Sequence, residues 1–117
     1  MKVGKCFEFD AAHRLPDYKG KCANLHGHRW KFQVVIEGEV DKKTGMVKDF
    51  NELKRVVEVL VLDELDHTYL NKKIKNPTAE NIATWIFNTL KKQGGLDIVK
   101  VRLWETPTSF VETTNED

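Results

Sequence analysis

The stretch HGHRWKFQVVIEGEV, His26 to Val40, decides how this chain folds. From His28 onward its residues alternate. His28, Trp30, Phe32, Val34 and Ile36 share one parity, while Arg29, Lys31, Gln33 and Glu37 share the other. An extended backbone sends successive side chains to opposite faces, so this pattern predicts a strand, roughly His28 to Val40, with one buried and one wet side. Upstream, Lys2 to His13 has the same character. Val3, Phe7, Phe9, Ala11 and His13 form one face, and Cys6, on the opposite parity, reads as a packing residue only. Between the two strands, Arg14 to Leu25 carries Pro16, Asp17, Gly20 and Asn24, which is loop chemistry. It is long for a hairpin loop, and long loops in compact domains are often functional.

Downstream of the strand, Asp41 to Gly45 reads as a turn and Met46 to Lys48 as a short extended piece. Asp49 then caps a helix, with Glu52 at capping-box spacing. Phe50, Leu53, Val57, Leu60 and Val61 follow helical spacing, and the helix ends near Leu65. Asp66 to Pro77 is a connecting loop. Thr78 is a good N-cap for a second helix, whose apolar stripe is Ala79, Ile82, Ala83, Ile86 and Leu90. Lys91 and Lys92 suit its C-terminus, and Gly94-Gly95 ends it. Ile98 to Glu105 is a third strand with Val99, Val101, Leu103 and Glu105 on one face. Thr106-Pro107-Thr108 turns the chain into a short fourth strand, Ser109 to Thr113. The order ββααββ predicts an α+β fold, an antiparallel sheet with two helices on one face, as a single domain over residues 1–117.

Composition excludes several function classes. Nineteen Lys and Arg against 18 Asp and Glu leave a formal net charge of +1, so there is no basic field to hold nucleic acid or a membrane surface. Hydrophobic residues at 40% and charged residues at 32% fit a soluble globular domain rather than a disordered one. No apolar run approaches the roughly 20 residues that span a bilayer. Met1 to Asp10 lacks the apolar stretch of a secretory signal, and two cysteines make no disulfide scaffold, so the expected location is cytoplasmic. A chain this short buries only about two-thirds of its unfolded surface, which favours help from partner subunits or a metal.

The histidines carry the chemistry. If the first two strands pair as an antiparallel hairpin, His13 becomes a neighbour of His26 and His28. The latter two are two residues apart and point to one side, with no side chain at Gly27 to crowd the gap. Three imidazoles with no fourth protein ligand match an open zinc site; other imidazole-binding metals fit too, as does a strand-end core His13 beside an accidental His-Gly-His. Cys22, four residues before His26, is either a fourth ligand that closes a structural site or a thiol activated by a nearby cation. Asp66-His67 reads either as an oriented imidazole or as two solvated loop residues. Glu105 extends an apolar face, where a carboxylate is costly unless it meets paired N–H donors. If the strand has already ended, Glu105 is simply wet. Glu80 and Thr78 are accounted for by the helix start alone.

Six segments in order resemble the 6-pyruvoyltetrahydropterin synthase family: Phe9-Asp10-Ala11-Ala12-His13, Cys22 to His28, Gly45 to Phe50, Leu65-Asp66-His67, Pro77-Thr78-Ala79-Glu80 and Trp104-Glu105. The similarity is greater to its bacterial and archaeal branch, the 6-carboxytetrahydropterin synthases of queuosine and archaeosine biosynthesis. Three residues separate Cys22 from His26, as in that branch, and Arg29 stands where the tetrahydrobiopterin branch has Asn. The resemblance implies the tunnelling fold and a homohexamer, a dimer of trimers, with active sites at subunit interfaces. It implies Zn2+ on His13, His26 and His28, Cys22 as general base, and Asp66 and His67 completing the proton-transfer set. It further implies Glu105 as the anchor of the pterin amino and ring N–H groups, with Thr78 and Glu80 nearby and Phe50 packed against the ring. The implied reaction converts 7,8-dihydroneopterin triphosphate to 6-carboxytetrahydropterin, acetaldehyde and triphosphate. Alternatives are a 6-pyruvoyltetrahydropterin synthase, an aldolase acting on dihydroneopterin, and a non-catalytic structural zinc module. Asp10 and Ala79 stand where the family often has hydroxyl residues, and residues 106–117 match poorly.

Overall fold

A computed structural model describes residues 1–117. Strands β1 (Lys2–His13) and β2 (His26–Glu37) pair antiparallel over their whole lengths, from Lys2 opposite Glu37 to His13 opposite His26. This register explains why β2 starts two residues earlier than the alternation predicts and stops three earlier. His26 has a partner in His13. Beyond Glu37, β1 has only Met1 left, whose backbone exchanges hydrogen bonds with Gly38. Phe7 lies opposite Phe32 and Phe9 opposite Trp30, and both ring pairs stack, at 5.3 Å and 6.2 Å between centroids. Such pairs add about 0.5–1.5 kcal/mol beyond the area they bury. Cys6, on the outer face, is exposed rather than packed.

Residues 41–48 form a closed loop with no strand. The Asp41 carboxylate accepts from the N–H groups of Lys43 and Thr44, and the Asp41 N–H returns to the Met46 carbonyl. The first helical run starts at α1 (Phe50–Val57), where the Asp49 side chain accepts from the Asn51 N–H at 2.8 Å. Glu52 lies 3.9 Å from Lys48 Nζ in place of the reciprocal half of a capping box. The run continues through a π-helical segment, Glu58–Leu62, into α2 (Asp63–Leu65). Leu53, Val57, Val61 and Leu65 are all buried, each four residues from the last. On a regular α-helix that spacing drifts about 40° per step, and the wider π turn, closed by the Asp63 N–H on the Glu58 carbonyl, cancels part of the drift. Phe50, assigned to this stripe by its spacing, is 52% exposed.

The segment after α2 contains an unforeseen strand, β3 (Thr68–Tyr69), which runs parallel to β1 beside Ala11 and Ala12. Helix α3 (Ala79–Gln93) is capped by Thr78 Oγ1, which accepts from the Asn81 N–H at 3.1 Å. A Cβ on Gly94 would sit 2.6 Å from the Leu90 carbonyl and 3.0 Å from Val56, and Gly95 takes φ 61°, so this pair of glycines is required where the helix stops. Strands β4 (Ile98–Thr106) and β5 (Ser109–Thr114) complete a five-stranded sheet in the order β3-β1-β2-β4-β5, antiparallel except at β3. A bulge at Val35/Ile36 makes Ile98 and Val101 the buried residues and leaves Val99 partly exposed, against the simple alternation. The helices cover one face of the sheet and form the core with it. No helix is long and apolar enough to cross a membrane.

Candidate metal centre

At the end of the β1–β2 hairpin the three imidazoles converge, and Glu105 joins them. Ligand atoms of His13, His26, His28 and Glu105 all lie within 4.8 Å of one another. His13 Nε2 is 3.0 Å from His26 Nε2, Glu105 Oε1 is 3.1 Å from His28 Nε2, and the same oxygen is 3.7 Å from His13 Nε2. Buried Trp30 forms the floor. Its ring meets those of His13 and His28 edge-on at 5.0 and 5.2 Å, and its Nε1–H donates to the Ala11 carbonyl.

Backbone carbonyls fix the two tautomers that matter. His13 Nδ1 lies 2.8 Å from the Pro77 oxygen and His26 Nδ1 lies 2.7 Å from the Asn24 oxygen. Carbonyl oxygens only accept, so each Nδ1 carries the proton and each Nε2 presents a lone pair. Two lone pairs therefore face each other across 3.0 Å. His28 Nε2 is buried and has no hydrogen-bond partner, because its approach to Glu105 lacks hydrogen-bond geometry. Something positive has to lie among these acceptors, either an extra proton or a metal ion. Burial opposes the proton: desolvation holds His13 and His28 below their ordinary 6.5, against the raising pull of the Pro77 carbonyl on His13 and of Glu105 on both. The donor set and its spacing fit a divalent metal ion.

The other predicted residues stand outside this group. Cys22 sits in a short 3₁₀ turn (Lys21–Ala23) of the hairpin loop, where its carbonyl accepts from the Leu15 N–H; its half-buried thiol is not among the converging ligand atoms. Asp66 and His67 form a second, exposed group with Asp10. His67 Nδ1 is 2.9 Å from Asp66 Oδ1, the Asp10 N–H donates to the same oxygen at 3.0 Å, and the His67 N–H donates to the Asp10 carbonyl at 2.6 Å. His67 holds φ 59°, a left-handed conformation that these bonds and the pairing of β3 keep in place. The Asp10 backbone N–H, first among the causes, keeps the Asp66 carboxyl below its usual range, with His67 adding to the effect. A shallow cavity of about 520 Å³ is lined by Asp10, Arg29, His28 and His67 among others, which links the dyad to the metal end of the sheet. A second cleft, about 550 Å³, runs past Glu105, Trp104, Lys31 and Gly27. A Cβ on Gly27 would meet only the Ala11 carbonyl, at 3.7 Å, so crowding does not explain that glycine. Thr78 is occupied as an N-cap, and Glu80 and Phe50 are exposed at helix starts.

Sequence reasoning missed Pro77 and Asn24, whose carbonyls orient two of the rings, and no side-chain signal marks them. It also passed over Asn71, whose amide exchanges hydrogen bonds with both backbone groups of Arg14 at 3.0 and 2.9 Å and so ties the 66–77 segment to the end of β1.

The family model described as 6-pyruvoyl tetrahydropterin synthase matches residues 2–116. The chain belongs to this family and is a lyase-type enzyme of the pterin synthase kind. It is 43% identical over 137 aligned residues to the 6-carboxy-5,6,7,8-tetrahydropterin synthase of Haemophilus influenzae, covering 96% of this chain and 97% of that protein. It is also 46% identical over 99 residues to the dihydroneopterin monophosphate aldolase of Pyrococcus furiosus, covering 83% and 82%. The solved structure of Caenorhabditis elegans 6-pyruvoyl tetrahydropterin synthase superposes with a TM-score of 0.87 at 31% identity, over 98% of this chain and 95% of that one.

Proposed function

We propose that this protein converts 7,8-dihydroneopterin triphosphate to 6-carboxytetrahydropterin, releasing acetaldehyde and triphosphate, with zinc held by His13, His26 and His28. The single observation that carries the metal is the pair of Nε2 lone pairs 3.0 Å apart with both Nδ1 protons committed to backbone carbonyls. Tetrahedral ligands at zinc distances stand about 3.3 Å from one another, close to the 3.0 Å between His13 Nε2 and His26 Nε2. Zinc bound there supplies Lewis acidity that eases proton removal from the side-chain diol of the substrate. Cys22 is the base that takes a side-chain proton, and its position outside the cluster favours this role over that of a structural ligand. His67 handles a second proton. With Nδ1–H held by Asp66, its Nε2 is the free basic atom. Glu105 anchors the amino and ring N–H groups of the pterin, Thr78 and Glu80 stand nearby, and Phe50 packs on the ring.

In this reading the working enzyme is a cytosolic homohexamer of two trimers with sites at subunit interfaces. Only 26 of 117 residues are buried in the single chain, one face of the sheet has no covering layer, and Cys22 joins neither cluster, all of which favour assembly. The identity to an archaeal dihydroneopterin monophosphate aldolase supports a second reading, cleavage of a dihydroneopterin phosphate side chain without the internal redox rearrangement. Incubation of zinc-loaded protein with dihydroneopterin triphosphate, and separately with the monophosphate, followed by mass spectrometry, decides between them. The 6-carboxy product with acetaldehyde supports the first reading. A 6-pyruvoyl product, or turnover of the monophosphate alone, overturns it.

A further inference from the structure

Two cations line the cleft of about 550 Å³ beside the imidazoles, Arg29 and Lys31. Arg29 is neutralised, by Asp10 at 3.1 Å and by Glu8 at 3.6 Å. Lys31 is not. Glu8, directly opposite it on β1, turns to Arg29 instead, and no carboxylate lies within ion-pair distance of the Lys31 ammonium. Lys31 Nζ sits 5.1 Å from the centre of the Trp104 indole, its opposite residue on β4. Arg102, which faces the same ring at 5.7 Å, is held by Glu112 at 2.7 Å. An aromatic face attracts a cation through its quadrupole without cancelling the charge. Lys31 is therefore held at one point of the cleft with its charge available to an anion. The cleft also reaches the candidate site: it shares Gly27, His28 and Arg29 with the cavity that His67 lines, and nothing packed around Gly27 requires a glycine there.

We propose that Lys31 receives the outer phosphates of the substrate and so sets a preference for a triphosphate over a monophosphate. This rests on the reading that the protein binds a dihydroneopterin phosphate. Lys31 lies three residues along β2 from His28, about 10 Å on an extended strand. A substrate whose diol stands at the histidines carries its first phosphate close to them, and only a longer phosphate chain reaches Lys31 along the cleft. A lysine suits this task. Its ammonium is a point charge with three donors on a flexible stem, and it can follow a phosphate chain that has no fixed geometry. A monophosphate ends short of Lys31 and gains nothing from it.

The test uses the full-length zinc-loaded protein and three ligands that share the oxidised pterin ring: neopterin triphosphate, neopterin monophosphate and neopterin. Affinity is read by isothermal calorimetry. The wild type should bind the triphosphate more tightly than the other two. Lys31→Met should weaken the triphosphate by about 10-fold or more, the loss of one charge-assisted hydrogen bond, and leave the monophosphate and neopterin unchanged. Lys31→Arg keeps the charge and should restore most of the affinity. Added salt should narrow the preference in the wild type and have little left to narrow in Lys31→Met. Triphosphate binding unchanged in Lys31→Met, a loss shared equally by all three ligands, or a wild type that binds all three alike overturns the inference and leaves the pterin reading standing. A wild type that binds none of them overturns both.

Discussion

The two halves of the candidate site are built differently. The metal end is assembled from one hairpin and the strand beside it. Its rings pack on a fully buried Trp30, two of its tautomers are set by backbone carbonyls, and His13 is completely buried. The residues assigned to proton transfer sit on exposed connections. Cys22 is on the hairpin loop, and Asp66-His67 is at a corner held to β1 by two hydrogen bonds, with the His67 side chain 79% exposed. The imidazole half is preorganised within a single chain, as the proposed coordination of a metal requires. The half proposed to handle protons is presented outward, which suits the proposed meeting with a substrate at a boundary between chains. Substitutions in the two halves should therefore fail in different ways.

The largest effect is expected from His28→Ala, which should lower zinc affinity by more than about 100-fold, beyond the 10–100-fold of an outer-shell change, and abolish turnover with it. Zinc retained at wild-type affinity would remove His28 from the site. Cys22→Ala should cut kcat by about 10²–10⁴-fold, the range of a lost general base, while metal content by elemental analysis stays at the wild-type level. Loss of zinc and of folding together would instead make Cys22 a structural ligand and blur the contrast between the halves. Asp66→Asn should cost about 10²-fold in kcat, at the low end of that range, with KM and metal content little changed, because His67 loses the partner that fixes its tautomer.

The smallest effect is a pH dependence confined to the metal end. Desolvation lowers the pKa of His13 and His28 in the folded protein, so below 6.5 the unfolded chain binds more protons than the folded one. The contribution of these neutral rings to stability is fully present above 6.5 and is lost as pH falls below it. Asp66 acts with the same sign, at lower pH. Its carboxyl is also depressed, so its contribution persists until pH falls below 3.8. Urea denaturation of the metal-free protein should therefore give a lower midpoint at about pH 5.5 than at about pH 7.5. His13→Gln should flatten that difference, whereas Asp66→Asn should not. Equal midpoints in the wild type would mean that the rings are not held neutral by burial.

The same contrast governs how much could be read before the structure. β1 runs from Lys2 to His13 as its alternation indicates, and the parity that groups His28 with Trp30 and Phe32 puts the imidazoles on the core side. Thr78 and Asp49 cap the helices they were expected to cap, because side-chain capping is a local property of the sequence. What escaped was either carried by the backbone or set by long-range pairing. Any residue offers a carbonyl, so nothing marked Pro77 or Asn24 as partners of His13 and His26. A two-residue strand such as Thr68–Tyr69 has no periodicity to detect. Val99 and Ile98 exchanged places because one bulge shifts the register of β4, and the parity of Glu105 predicted its face without revealing its approach to the histidine rings. Phe50 matched a helical stripe in spacing, yet it lies at the first position of α1, where the core does not reach it.

Zinc titration of the metal-free protein, followed by isothermal calorimetry and native mass spectrometry, tests the central claim most directly. The account predicts one tightly bound zinc ion per chain, with protons released as remaining imidazolium gives way to the metal. Absence of binding, or weak binding that survives replacement of both His26 and His28 by alanine, would contradict it.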